Sequence, residues 1–292
     1  MKQSAADRAF GALAHAFVLA FALFCLLPFW LMAAGSLTKE SALILHGYSL
    51  LPRPFSADAY AVLLRSKSLW TGYGNTMFIT AVGTLLALCV SAMLAYSLAN
   101  KRNVVRGGLL SYAYFPMLFS GGLIPFYITV SKTLHLSNTL WAVILPLLCQ
   151  PFLVFLMVNF FRTLPEELEE SARMDGASEV DVFFCIVVPI AQPILATAGL
   201  FYALAYWNDW FMGLLFIDEE KKLPLQLLLR RMISNVAAAK TLIPDAAGMA
   251  VDVPLMGVRM STTIMTIGPI VLLYPLLQKY FVKGLTVGAV KG

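Results

Sequence analysis
Charge is scarce in this sequence. Of its 292 residues only 13% are Asp, Glu, Lys or Arg, while 60% are hydrophobic and the mean hydropathy is +0.78. A soluble domain has roughly a quarter of its residues charged, so a water-soluble globule is excluded and a polytopic membrane protein is indicated. Histidine and cysteine are scarce too, at three and four residues. His15, His46 and His135 are isolated. Cys25, Cys89, Cys149 and Cys185 lie far apart in apolar stretches without metal-ligand spacing, which points to reduced packing residues and gives no metal site. The sequence has no Gly-x-x-x-x-Gly-Lys-Ser/Thr, no His-Glu-x-x-His and no Gly-x-Ser-x-Gly. It therefore carries no phosphate loop and no signature of hydrolytic chemistry. The net charge of +5 comes without a basic stripe interleaved with aromatics, so no nucleic-acid partner is expected.

What is present is a series of apolar runs of membrane-spanning length, about 20 residues each. They cover 12–34, 75–99, 109–130, 139–161, 189–217 and 261–281, giving six transmembrane helices in an all-α integral membrane fold. Residues 1–72 form an amino-terminal helix plus an external segment, and 73–285 a core. Residues 286–292 form a tail. Ser56 is expected to cap a short interfacial helix over 56–64. Pro116, Gly121-Gly122 and Pro125 soften the third span, and Pro146 with Gln150-Pro151 the fourth. Among short connections Lys101, Arg102 and Arg106 outweigh Lys132, and Lys279, Lys283 and Lys291 cluster near the end. The positive-inside rule then puts both termini and the 162–188 connection on the cytoplasmic side, and the long 218–259 connection outside.

Gradient-driven carriers keep carboxylates in mid-membrane, where each costs at least ~2.5 kcal/mol. Here the spans hold only Asp209, near the outer end of the fifth. This opposes a secondary carrier and leaves the energy to a partner.

The 162–188 connection is the most informative stretch. It holds seven carboxylates (Glu166, Glu167, Glu169, Glu170, Asp175, Glu179, Asp181) and two basic residues, Arg162 and Arg173. Thr163-Leu-Pro-Glu166 fits a capping box with proline in the first turn. The helix is predicted over about 164–176, ended by Gly176. Ser178-Glu-Val-Asp181 is a second capping signature, and Val180, Phe183, Phe184, Val187 and Val188 follow at helical spacing.

This loop resembles the coupling signature of the membrane subunits of ATP-driven, binding-protein-dependent importers: Glu-Ala-Ala, three residues, Gly, nine residues, Ile-x-Leu-Pro. Here it reads Glu170-Ser171-Ala172, Gly176, Ile186-Val-Val188-Pro189, with Ser171 and Val188 as the two departures. The resemblance implies a type I ABC importer permease fold, with Glu170, Ser171, Ala172, Asp175, Gly176, Ala177, Ile186 and Pro189 in the ATPase-coupling element. It implies a homologous second permease subunit, two ATPase subunits that hold ATP and Mg, and an external solute-binding protein. It also implies location in a bacterial cytoplasmic (inner) membrane and no cofactor in this chain.

Three further stretches resemble the carbohydrate branch. Tyr206-Trp207-Asn208-Asp209-Trp210 suits a sugar, with aromatic faces beside amide and carboxylate groups; an interfacial aromatic belt explains it equally well. Phe119-Ser-Gly-Gly-Leu-Ile-Pro125 with Leu136-Ser-Asn138-Thr-Leu140-Trp141 resembles importers of complex saccharides. The tail Lys283–Gly292 resembles the second membrane subunit of maltose-type importers, which implies ATPase contact through Thr286, Gly288 and Gly292. In such relatives the loop equivalent to about 235–257 reaches into the binding protein. The expected function is thus half of a translocation path for an oligo- or polysaccharide. An importer of a non-sugar solute is the alternative, ahead of a gradient-driven carrier or a membrane scaffold.

Overall fold
A computed structural model describes residues 5–242 and 256–267. The 243–255 part of the outer loop, most of the expected sixth span and the 286–292 tail lie outside the described residues. Among the described residues the chain is helical, apart from one isolated antiparallel bridge between Thr38 and Phe55.

Two helices cross a membrane unbroken by length and composition: α1 (Ala5–Ser36), whose candidate span is Phe10–Ser36, and α4 (Lys67–Ala99). Three more candidates are bent pairs. The first joins α5 (Arg106–Leu118) to α6 (Leu123–Ile128) and its continuation to Thr133, at 115°. The second joins α7 (Trp141–Ile144), extended to Leu147, to α8 (Pro151–Phe161), at 45°. The third bends by 85° between Glu179–Ile190 and Gln192–Asn208. Each break falls where proline or glycine removes a backbone donor or frees the dihedrals. Counting each bent pair as one span, up to five segments among the described residues are long and apolar enough to cross a membrane. Of the sixth, 261–267 is described and helical.

The chain divides into two units, 1–67 with 231–268, and 68–230 with 269–292. In the first, α1 leads to α2 (Glu40–His46) and α3 (Asp58–Arg65). The α2 helix lies inside the external segment expected within residues 1–72. The Glu40 carboxylate accepts the backbone N–H of Met256 (2.8 Å) and of Gly257 (2.9 Å), the first described residues of the 256–267 helix. Ser56 does not cap α3. Its hydroxyl accepts the Asp58 N–H at 3.1 Å one position too early, and the cap position belongs to Ala57. The candidate-span window of α1 has no residue buried within the chain; an apolar helix so exposed requires lipid or another subunit around it.

In the second unit the core joins α4, α8 and the segment after 178. Ala92, Ala95, Leu98, Val154, Met157 and Val158 pack with Val182, Phe183, Val187 and Ala198. The second span begins at Lys67, earlier than expected, because 67–74 continues the helix without a break. Asn138 adopts φ 57°, and its side-chain oxygen accepts the N–H groups of Asp218 (2.7 Å) and Glu219 (3.2 Å).

Candidate functional site
The charged connection folds as a helix, α9 (Glu166–Met174), and a second short one, α10 (Glu179–Asp181). The first cap differs from expectation. Pro165 occupies the N-cap, and the Thr163 hydroxyl turns back to donate to the Phe160 carbonyl at 2.7 Å, so no capping box forms there. Glu166, Glu167 and Glu169 in the first turn still complement the helix dipole. The other end is as expected. Gly176 has φ +88°, its N–H donates to the Arg173 carbonyl (3.0 Å), and the Ala177 N–H donates to the Ala172 carbonyl (3.0 Å). These two bonds make a Schellman motif. Ser178 and Asp181 form the reciprocal capping box.

Beyond Asp181 the chain makes a π-helix over Val182–Val187. The wider turn rotates the helical face, so Val182, Phe183 and Val187 are buried while Val180 and Phe184 are exposed. The sequence had placed Val180, Phe183, Phe184, Val187 and Val188 at regular helical spacing.

On the inner side of α9, Ala172 and Ala177 pack against the core, and Ile186 is half-buried. Glu170, Ser171, Asp175 and Pro189 are exposed. The outer face also carries Glu167, Leu168 and Met174, the last 88% exposed. Exposed apolar side chains among carboxylates make a surface fit for another protein.

Sequence reasoning missed what holds α9 in place. Arg173 donates through Nη2 to Glu169 (2.8 Å) and through Nε to Glu179 (2.8 Å). The Tyr96 hydroxyl, from the end of α4, donates to Glu169 (3.2 Å) and Glu179 (3.1 Å). The Arg173 and Glu169 side chains are only 16% and 20% exposed, so that pair is little screened, while Glu179 at 57% keeps one side of the cluster open to water. Hydrogen bonding to Glu179, and then to Glu169, holds the Arg173 guanidinium more firmly protonated than usual. Two outer pairs, Lys101–Glu166 (2.5 Å) and Arg102–Glu170 (2.8 Å), tie the 100–105 turn to α9. The hydrogen bond from Lys101 keeps the Glu166 carboxyl below the usual carboxylate range. Between turn and helix lies a cavity of about 260 Å3, lined by Tyr96, Arg102, Arg106, Arg162, Glu169 and others. The only advance signal was a run of cations one turn beyond a tyrosine.

The aromatic string divides in the fold. Tyr206 and Trp207 are buried on α12 (Gln192–Asn208). The Tyr206 hydroxyl donates to the Ile144 carbonyl at 2.9 Å, and Trp207 lies 6.5 Å from the ring of Tyr73. Asn208 is exposed, with its side-chain N–H donating to the Leu204 carbonyl. One Asp209 oxygen accepts the Met212 N–H at 3.4 Å, opening α13 (Phe211–Phe216). Trp210 lies beneath the Arg230 guanidinium, 3.5 Å from the ring centre. Thr286, Gly288 and Gly292 fall outside the described residues.

Broken helical spans with a capped, charged helix between the fourth and the fifth fit the membrane subunit of a transporter. The chain belongs to the family described as binding-protein-dependent transport system inner membrane component, whose model matches residues 87–287, and it is a permease subunit of an ABC importer rather than an enzyme. It is 41% identical over 269 residues to Protein LplC of Bacillus subtilis (strain 168), covering 91% of this chain and 90% of that one. To the polygalacturonan/rhamnogalacturonan transport system permease protein YtcP of the same organism it is 35% identical over 286 residues, covering 98% and 99%. It is similar to a chain in the crystal structure of a bacterial ABC transporter involved in the import of the acidic polysaccharide alginate, with a TM-score of 0.84 and 30% identity over 96% of this chain and 99% of that one. The all-α type I importer fold expected from the coupling signature is thereby established; the count of six spans is supported only as far as the five candidate segments and the 261–267 helix.

Proposed function
We propose that this subunit forms half of the path by which an oligo- or polysaccharide enters the cell. A second, homologous permease subunit forms the other half. Two ATPase subunits supply the energy, binding ATP and Mg themselves, and an external binding protein delivers the solute. The capped, outward-presented α9 carries this reading: Glu170, Ser171, Asp175 and Gly176 lie at its exposed end and would seat on the ATPase, while Ala172 and Ala177 anchor it to the core. The saccharide assignment draws on relatives named for polygalacturonan, rhamnogalacturonan and alginate import.

Both termini and the 162–188 loop face the cytoplasm of a bacterial inner membrane in this reading, and the 218–259 connection faces the binding protein. Asn208 and Trp210, exposed or half-exposed at the end of α12, are the members of the aromatic string available to a passing sugar, with Asp209 shaping the turn between them. Buried Tyr206 and Trp207 support that rim from behind. The tail residues Thr286, Gly288 and Gly292 reach the ATPase pair.

Reconstituted vesicles holding the full complex test this. Uptake of labelled uronic-acid and neutral oligosaccharides is measured with and without ATP and the binding protein. Uptake that requires both, and that is retained for at least one saccharide class, is expected. Uptake driven by a proton or sodium gradient without ATP would overturn the assignment.

A further inference from the structure
The α4 helix stands apart from the other candidate spans of its unit. Its 33 residues run unbroken from Lys67 to Ala99, about 50 Å at ~1.5 Å per residue, while the others among the described residues are bent by 45° to 115°. Bent spans absorb displacement at their breaks; an uninterrupted helix passes it along.

Both ends of this rod are tied by specific polar contacts. At the inner end the Tyr96 hydroxyl meets Glu169 and Glu179, which Arg173 clamps together, and the Arg173 Nη2 also reaches the Tyr96 oxygen at 3.4 Å. The Tyr96 ring packs on Phe183, with ring centres 5.3 Å apart. Near the outer end, the Asn75 side chain donates to the carbonyls of Lys221 (2.9 Å) and Leu223 (3.2 Å). One residue on, the buried Thr76 hydroxyl accepts the Leu225 N–H at 2.8 Å. Side-chain hydrogen bonds thus join the rod to α9 through Tyr96 and to the outer 221–225 segment through Asn75 and Thr76.

We propose that α4 is the transmission rod of the subunit: Tyr96, held by the Arg173–Glu169–Glu179 cluster, is the positioning residue that carries α9 movement into the membrane, and Asn75 with Thr76 delivers it to the 221–225 segment. This rests on the reading of α9 as the ATPase-docking helix. It differs from a lever hinged only through the α8 and α10 connections, because the joint lies on a helix more than sixty residues away in sequence from α9. Arg102–Glu170 and Lys101–Glu166, exposed and screened, only limit the play of the joint.

Tyr96→Phe removes one oxygen and keeps the ring on Phe183. Thr76→Val removes the acceptor for Leu225 at nearly constant volume. Each is placed in the complete complex in vesicles, and saccharide transported per ATP hydrolysed is measured beside ATPase co-purification. A Lys221→Cys reporter, with the four native cysteines replaced, is labelled by an impermeant maleimide with and without ATP. In the parent the labelling rate at 221 changes on ATP binding. In both variants that change is lost with the ATPase still bound, and transport per ATP falls about ten-fold in Tyr96→Phe, the scale of one charge-assisted hydrogen bond, and about five-fold in Thr76→Val, the scale of a neutral one. Unchanged coupling in Tyr96→Phe, an ATP-insensitive reporter in the parent, or loss of the ATPase from the Tyr96→Phe complex would each overturn the proposal. Gly176→Val tests the docking reading separately, since its failure shows as ATPase that stays bound when α9 is misaligned.

Discussion
Tyr206 packs its ring against the backbone of Gly83. A methyl group added at Gly83 would lie 2.7–2.9 Å from three of the ring carbons, too close for any real contact. The same ring ends in the hydroxyl that donates to the Ile144 carbonyl beside the break of the fourth span. Glycine at 83 thus lets α4 and α12 approach closely enough for Tyr206 to reach that break, a common use of small residues between membrane helices.

Gly83→Ala is expected to destabilise the subunit despite the better helix propensity of alanine, worth about 1 kcal/mol. The displaced ring leaves a buried carbonyl without its donor, at about 1–3 kcal/mol, and overpacking adds a similar amount. Gly74→Ala, where nothing lies within 4 Å of the new carbon, is the control and should be neutral or stabilising. Thermal unfolding of the purified complex in detergent distinguishes the two.

Gly176→Val meets no neighbour within 4 Å, so its cost is conformational alone. A β-branched residue at φ +88° costs about 1–2 kcal/mol or more and unwinds the Schellman end of α9. Membrane insertion should persist while ATPase co-purification is lost. Gly176→Asn, better tolerated in left-handed backbone, should retain more of it.

Arg173→Met leaves the Glu169 and Glu179 carboxylates together around the Tyr96 hydroxyl without their cation. The expected loss is about 2 kcal/mol, reduced from the fully buried case because the site is partly open to water. Lys101→Ala removes an exposed partner and should leave unfolding unchanged within error. The lowered Glu166 pKa contributes above the ordinary carboxylate range and is lost as pH falls through its own depressed value, so any effect of Lys101→Ala should vanish in acid and in high salt.

Asn138→Ala loses two accepted hydrogen bonds and keeps an unfavourable φ of 57°. A destabilisation of about 2–3 kcal/mol is expected. Faster proteolysis near Asp218 would report it, because Asn138 is what ties that segment to the 136–141 turn. Asn138→Asp, which keeps the acceptor, should lose much less.

Trp210→Leu removes the platform under Arg230 while keeping an apolar side chain at the interface. If the outer aromatic rim guides sugar, uptake at low solute concentration drops several-fold and the complex stays assembled. Unchanged uptake with a lower unfolding temperature would make Trp210 an interfacial anchor only.

The amino-acid sequence by itself determined that the chain is a helical membrane protein, that its third and fourth spans break, though not the break at 190–192, and that a capped helix ended by Gly176 lies between the fourth and fifth. Those properties are local: hydropathy, proline and glycine chemistry and capping act within a few residues. It misjudged Thr163, whose hydroxyl had a competing carbonyl on the preceding turn, and the face of 180–188, because a π-helix changes the period that a regular pattern assumes. Only the tertiary structure decided that Tyr96 meets Glu169 and Glu179, that Gly83 makes room for Tyr206, and that the aromatic string divides into buried Tyr206 and Trp207 and a more exposed remainder. These are pairings over 73 residues or more, and of 123 from Gly83 to Tyr206. They depend on where whole helices pack, which no local pattern encodes.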